Sequence, residues 1–212
     1  MGVFVIFGIV GEMNPLLRNL LIGTGIAVLL GAGFYIYSSR NAAPASVAAK
    51  QPSLERPYEI TIEMPEDAKT TLRANVVKLH DMLQADPQNY DAWLDLATHY
   101  KIAGDFEGAE EVWNYLLVAG PSTMKYILLG NLGNLYLYFK KDYPKAEEYY
   151  LQALAIAPDE ISFYADMYRM YAYAYKTDTT AARDILEKGI KINPENTDLK
   201  GLLEEYNKTH GQ

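Results

Sequence analysis

The sequence predicts an all-α fold in which antiparallel helix pairs stack into an α-solenoid, and three observations lead to this prediction. Four prolines recur at intervals of 34, 37 and 36 residues, namely Pro87, Pro121, Pro158 and Pro194. Aromatic and small residues recur along with these prolines, and the apolar residues between them fall at helical spacing. A period near 34 residues is typical of helix-pair arrays, which hold other molecules on an extended surface.

The composition narrows the class of function. The chain has 212 residues, with 19 Lys and Arg against 27 Asp and Glu, and a formal net charge of −8. An acidic chain is repelled by nucleic-acid phosphates and by anionic lipid head groups, which argues against a nucleic-acid partner. Cysteine is absent, and this excludes disulfides, a cysteine nucleophile and cysteine-ligated zinc.

An uncharged stretch at residues 20–37 predicts one transmembrane helix, to which we assign the bounds 16–38. At about 1.5 Å per residue the stretch reaches roughly 27 Å, close to the ~30 Å hydrocarbon core of a bilayer. Tyr35 and Tyr37 stand where an interfacial aromatic belt is expected. The stretch exceeds the roughly 7–15 apolar residues of a signal peptide, so a retained anchor is the preferred interpretation.

Small residues recur every four positions in this span. Gly23, Ala27 and Gly31 share one helix face, and such a face lets two membrane helices pack closely. Self-association through this face is one interpretation. The other is that glycine and alanine are simply common in spanning helices.

The ends of the anchor leave two questions open. Residues 1–15 form an N-terminal extension without an assigned structure, and Met1 and Met13 are both compatible with a start of translation. A lone N-terminal anchor more often leaves the following domain outside, so the soluble part is expected to be extracytoplasmic. Cleavage near Ala45, which would release a secreted protein, is the alternative.

Residues 39–65 are expected to be a linker between the anchor and the soluble domain. Small residues and prolines dominate its first part, and such a composition does not bury a core. Tyr58 to Glu63 alternates apolar and polar residues, which predicts an extended segment lying on the domain.

The clearest repeat covers residues 88–121. Large, large, small and large residues follow one another on a predicted first helix, a turn at Gly104 and Asp105 follows, and a second helix ends at Pro121. The small residue lets two helices approach closely. The positions are Trp93, Leu96, Ala97, Tyr100, Ala109, Trp113 and Leu116. This pattern resembles the tetratricopeptide repeat family, and the resemblance extends over residues 66–208.

The following repeats depart from the pattern to different degrees. Residues 122–158 match well, with one extra residue that is expected to lengthen the turn at Lys140 and Lys141. Residues 159–194 match in their second helix. Their first helix, about 161–176, falls out of register because Asp166 would take a large apolar place.

Two single helices are expected to flank the repeats. Residues 66–87 read as a half repeat with one apolar face. Residues 197–207 carry leucines on one side and charges on the other, as expected of a capping helix.

Catalytic chemistry is not expected. The histidines His80, His99 and His210 fall on different predicted elements, without metal-binding spacing. Adjacent carboxylates such as Glu110 and Glu111 point about 100° apart on a helix, which is typical of a solvated face. We expect no enzyme activity, no metal and no cofactor.

The resemblance implies that the first helices of the repeats line a concave groove. Asn131 and Asn134 stand at places where related proteins grip a peptide carboxylate, but the basic residues of such a clamp are missing. Aromatic and amide contacts to a peptide are expected instead. The predicted contact residues are Leu94, Thr98, Lys101, Asn131, Asn134, Tyr138, Tyr164, Met167, Tyr171 and Tyr175.

The function that this sequence favours is a membrane-anchored scaffold for protein–protein interaction. The soluble domain would bind a partner protein or peptide in its groove, within an assembly of the cell envelope. A structural membrane protein that self-associates is one alternative. A soluble secreted repeat protein, released by cleavage near Ala45, is the other.

Overall fold

The computed structural model describes residues 50–210, which form eight α-helices and contain no strand. The all-α prediction is confirmed for this part of the chain. A short 3₁₀ turn, Ser122–Met124, precedes α4, and a π-helical segment, Leu135–Lys140, continues it. The helices are α1 Glu66–Ala85, α2 Tyr90–Ala103, α3 Phe106–Ala119, α4 Lys125–Asn134, α5 Tyr143–Ile156, α6 Ile161–Tyr173, α7 Ala181–Ile192 and α8 Thr197–His210.

The predicted transmembrane helix at residues 16–38 lies outside the described residues, as do its small-residue face and the extension at 1–15. Between residues 50 and 210, the helices are too short or too polar to cross a membrane.

Short polar side chains start the second helices at the same place in two repeats. The Asp105 carboxylate accepts a hydrogen bond from Gly108 N at 2.9 Å, and the Asp142 carboxylate accepts one from Lys145 N at 3.2 Å. Each bond satisfies one of the backbone N–H groups that a helix N-terminus leaves free. Asp105 lies within a predicted turn and Asp142 directly follows one, so local chemistry sets these helix starts.

The helices pack as three hairpins, α2 with α3, α4 with α5 and α6 with α7, between the single helices α1 and α8. The large side chains Trp93 and Trp113 are fully buried in the first hairpin. Glycine provides close approach in the second, because a Cβ on Gly133 would lie 2.8 Å from the ring of Tyr150. The repeat pattern therefore requires a small residue at this position, because a larger side chain would prevent close packing of the two helices.

The extra residue of the second repeat does not lengthen a loop, as the sequence had suggested. It is accommodated within the helix, where Leu135–Lys140 adopts π-helical hydrogen bonding. A single π-helical turn takes up one inserted residue without ending the helix. Lys141 then ends it in the left-handed conformation, with φ of 56°, where the first repeat has Gly104 with φ of 84°.

The register predicted for the third repeat is wrong. Trp93 Nε1 donates a hydrogen bond to the carbonyl of Pro87 at 3.0 Å, and the Tyr164 hydroxyl donates one to the carbonyl of Pro158 at 2.8 Å. Tyr164 therefore takes the place of Trp93, and Asp166 does not occupy an apolar place. The register was assigned incorrectly from the sequence because a buried tyrosine, Tyr168, stands where the other repeats have Ala or Gly.

Pro52 and Leu54, in the part of the linker that was expected to bury no core, do bury apolar surface, and the segment from Tyr58 onward lies on the domain. Pro52 is buried, and Leu54 and Tyr58 pack against the core of α1 to α4. Arg56 forms a bidentate ion pair with Asp105, the residue that caps α3. The backbone N–H of Thr61 donates a hydrogen bond to the Ala103 carbonyl at 2.8 Å. We call residues 52–62 the strap.

Candidate partner-binding groove

The predicted contact residues of the first two repeats lie at or near the surface. Those on α2 are half-buried, and the Thr98 hydroxyl donates a hydrogen bond to the carbonyl of Leu94 at 3.0 Å. The Lys101 ammonium lies 5.9 Å from the centroid of the Trp113 ring, over the second helix of its own repeat. Asn131 and Asn134 on α4 are half-buried, and Tyr138 on the π-helical segment is exposed.

The structure corrects the prediction of contact residues in the third repeat. Tyr164 and Met167 are fully buried, and the buried Tyr171 donates a hydrogen bond from its hydroxyl to Glu147 at 2.5 Å. Tyr175 is half-buried and stacks on Tyr143, with ring centroids 6.2 Å apart. These residues hold the third repeat against the second. Tyr164, Met167 and Tyr171 are buried because the register of α6 turns them into the core.

Different residues of α6 face the cleft between α6 and α8. These are Ser162, Ala165, Asp166 and Arg169, which lie half-buried or exposed along that helix. These residues were not predicted from the sequence, although the signal was present: Trp93 and Tyr164 each stand six residues after a proline. A register one residue later places Ala165 and Arg169 at the positions of Leu94 and Thr98.

A polar network connects the second and third repeats on this side of the stack. Asp166 accepts hydrogen bonds from the Tyr138 hydroxyl at 2.7 Å and from Arg169 at 3.1 Å. The buried Tyr150 donates its hydroxyl to Asn134 at 3.0 Å. Burial and the bond to Asp166 raise the pKa of Tyr138 to about 12, so this hydroxyl remains a donor at physiological pH. The bond to Asp166 thus holds a side chain that remains 41% exposed.

Three exposed apolar side chains occupy equivalent places at the ends of the first helices. Ile102, Tyr138 and Tyr173 follow one another at intervals of 36 and 35 residues. They expose 47%, 41% and 70% of their surface, respectively. We call these residues the apolar row. The sequence analysis identified only Tyr138. The repeat spacing was the signal that could have found the other two.

The surroundings of the apolar row do not suggest chemistry. Among residues 50–210, no group of three or more His, Asp or Glu side chains could hold a metal ion. His80 Nε2 lies 3.1 Å from the Tyr100 hydroxyl, and burial lowers the pKa of this histidine. His99 Nδ1 lies 2.8 Å from the carbonyl of Asp95, within its own helix. Both histidines are engaged in contacts within the fold.

Comparison with known proteins shows similarity to a repeat family and to a larger curated protein. The tetratricopeptide repeat family matches residues 127–160, which contain most of α4, the π-helical segment and α5. The pre-mRNA-splicing factor CLF1 of Pyricularia oryzae is 26% identical over 133 residues, which cover 58% of this chain and 19% of that protein. The chain thus spans about a fifth of the length of this curated relative. One hairpin of the stack, α4 with α5, therefore carries a match to the tetratricopeptide repeat family.

Proposed function

We propose that residues 66–208 form a tetratricopeptide-type array that binds a protein or peptide partner along the face carrying the apolar row, without catalysing a reaction. The observation that carries the proposal is the recurrence of three large, exposed side chains, Ile102, Tyr138 and Tyr173, at one place in successive repeats. Isolated exposed apolar residues are common on proteins. Exposed apolar side chains that recur at the same position of successive repeats form a continuous feature of the surface, and such a feature marks an interaction site.

The polar groups beside the row support recognition of a peptide backbone. Asn131 and Asn134 lie half-buried on α4, and a side-chain amide both donates and accepts hydrogen bonds. Tyr138 is held by Asp166, so its ring loses little conformational entropy when a partner packs on it. The π-helical segment that carries Tyr138 adds to this argument, because such segments occur frequently at functional sites.

Photo-crosslinking tests this proposal. The full chain would carry the photoreactive residue p-benzoylphenylalanine at Ile102, Tyr138 or Tyr173 in turn, in cells of its own organism. The matched control is Val118, an exposed apolar residue on α3. We expect the three positions of the row to give the same crosslinked partner and Val118 to give none. Equal crosslinking from Val118, or three unrelated products, would contradict the proposal.

We also propose that the array is tethered to a membrane by the span at residues 16–38 and lies outside the cytoplasm, within an envelope assembly. The support is the length and apolar character of the span. Because the chain has no cysteine, a single Lys200→Cys substitution on α8 provides a unique label site. Labelling of intact cells by a membrane-impermeant maleimide is expected. Labelling only after lysis would place the array inside.

Each of the two alternative functions predicts a different experimental result. A mature chain that begins after Ala45 in mass spectrometry would identify a secreted protein. Crosslinks from the apolar row to a second copy of the chain would identify self-association. The splicing role named for the Pyricularia relative is not carried over, because the similar region is only 19% of that protein.

A further inference from the structure

A concave cleft lies between α6 and α8. Its volume is about 670 Å³, which falls within the range of ligand-binding clefts. Apolar side chains of Ile161, Ala165 and Leu202 line it, together with the backbone of Gly201. Since α8 follows the third hairpin, the cleft continues the row of first helices α2, α4 and α6 by one more helix.

The charges around the cleft are mostly negative. Asp166, Asp198 and Glu205 line it, against a single cation, Arg169. Arg169 already pairs with Asp166 at 3.1 Å. Within residues 50–210, neither Asp198 nor Glu205 forms an ion pair. These two carboxylates at the rim of the cleft are thus solvated, and a cationic group of a partner would complement their charge.

Gly201 provides an independent observation. It lies in the interior of α8, where glycine costs about 1 kcal/mol of helix stability relative to alanine. The other glycines within helices have packing reasons: a Cβ on Gly133 would lie 2.8 Å from Tyr150, and one on Gly189 would lie 2.8 Å from Leu199. A Cβ on Gly201 would meet no atom within 4 Å. The fold itself therefore does not require a glycine here, whereas close approach of a partner's backbone would.

From this geometry, we infer that the cleft between α6 and α8 binds a basic, partly apolar segment of a partner protein, whose backbone crosses α8 at Gly201. Apolar side chains of the segment pack on Ile161, Ala165 and Leu202. Its Lys or Arg side chains pair with Asp198 and Glu205. The inference rests on the proposed binding function and adds the chemistry of the partner.

The test begins with selection of peptides on the full-length chain in detergent. A phage library of random 12-residue peptides is the probe, and a fluorescein-labelled copy of the enriched peptide is then titrated by fluorescence anisotropy. We expect enriched peptides to combine Lys or Arg with Leu, Ile or Phe. Enrichment of acidic or uncharged peptides, or of none, would overturn the inference.

Charge reversal on α8 tests the electrostatic part. Glu205→Lys is expected to weaken peptide binding at least about tenfold, as is usual when a favourable charge contact becomes a repulsive one. Glu204→Lys is the matched control, because Glu204 is the neighbouring carboxylate and does not line the cleft. Glu204→Lys is expected to change binding less than about twofold. Equal effects of the two reversals would argue for general attraction by the acidic chain and against the cleft.

Two substitutions of Gly201 separate a binding role from a purely structural one. Gly201→Ala is expected to raise Tm by about 2–4 °C, through helix propensity, while it weakens peptide binding. Gly201→Gln fills the space above the helix and is expected to weaken binding by about tenfold or more, while it raises Tm less than Gly201→Ala does, because glutamine has a lower helix propensity than alanine. Unchanged affinity in both variants would overturn the inference.

The same titration distinguishes failure of this inference from failure of the proposed function. A peptide that is released by Tyr138→Ala but is insensitive to the substitutions of Gly201 and Glu205 binds the apolar row alone. In that case the proposed function stands and the inference on the cleft is wrong. A peptide insensitive to every one of these substitutions would contradict both.

Discussion

Arg56 provides the most informative single perturbation of this fold, because one side chain holds the strap against the first hairpin. Its guanidinium forms two parallel hydrogen bonds to Asp105, of which the one from Nη2 to Oδ1 measures 2.8 Å. The Arg56 and Asp105 side chains are 26% and 9% exposed, respectively. The guanidinium also lies 5.7 Å from the centroid of the Tyr100 ring. Arg56→Ala removes all of these contacts.

The expected cost lies between two limits. An exposed ion pair contributes up to about 1 kcal/mol, and breaking a buried pair costs about 3–5 kcal/mol. This pair is half-buried and bidentate, so we expect Arg56→Ala to lower the free energy of unfolding by about 2 kcal/mol. The change corresponds to a fall in Tm of roughly 4–8 °C for a domain of this size. Asp105 keeps its bond from Gly108 N, so α3 retains its cap.

Urea unfolding followed by tryptophan fluorescence measures this cost. The chain has two tryptophans, Trp93 and Trp113, and both are buried in the first hairpin. A double-mutant cycle with Asp105→Asn isolates the pair, because asparagine also caps a helix. We expect a coupling of about 1–2 kcal/mol.

Lys208→Ala is the matched control, because Lys208 forms an exposed ion pair with Glu204 on α8. It is expected to leave the urea unfolding curve almost unchanged, because solvent screens an exposed ion pair. If Arg56→Ala costs no more than this control, or if the cycle shows no coupling, the ion pair does not hold the strap, and the reasoning is refuted.

Two further predictions concern packing and pH. Gly133→Ala is expected to destabilise the fold by about 1–3 kcal/mol in urea, despite the better helix propensity of alanine, because its Cβ would lie 2.8 Å from Tyr150; a stabilised variant would contradict the packing described for α4 and α5. Stability is also expected to fall as the pH rises from 10 towards 12, with unfolding by circular dichroism coinciding with tyrosinate absorbance. Burial raises the pKa of three tyrosines from 10.0 to about 12, so their contribution is complete below pH 10 and is lost as the folded groups ionise. The three tyrosines with this raised pKa are Tyr100, Tyr136 and Tyr138. Ionisation of all tyrosines near pH 10 without unfolding would contradict this prediction.

A repeated contact explains why so many tyrosines are buried. Glu110 of α3 binds the Tyr136 hydroxyl and Lys140 of the next repeat. Glu147 of α5 binds the Tyr171 hydroxyl and Lys176 in the same way, 35 to 37 residues later. These contacts connect successive repeats. In the first repeat, Arg56 of the strap supplies the cation beside Tyr100 instead.

The candidate site was predicted only in part, for a reason that the third repeat illustrates. Its Tyr168 stands where a small residue was expected, so the sequence pattern shifted by one position and assigned buried residues such as Tyr164 to the groove. Tyr138 was assigned to the groove and is exposed, whereas Ile102 and Tyr173 were not considered. The mixed outcome arises because tyrosine is common both inside and outside proteins.

The sequence by itself determined the features that depend on local physics. Helical periodicity, the prolines that end helices and the aspartates that begin them act within a few residues, so the order of the helices was readable. Only the tertiary structure decided which tyrosine rings are buried, how α4 absorbs its extra residue and where the strap lies. These outcomes depend on contacts between residues far apart in the chain. The ion pair between Arg56 and Asp105, for example, spans 49 positions and leaves no trace in local sequence patterns.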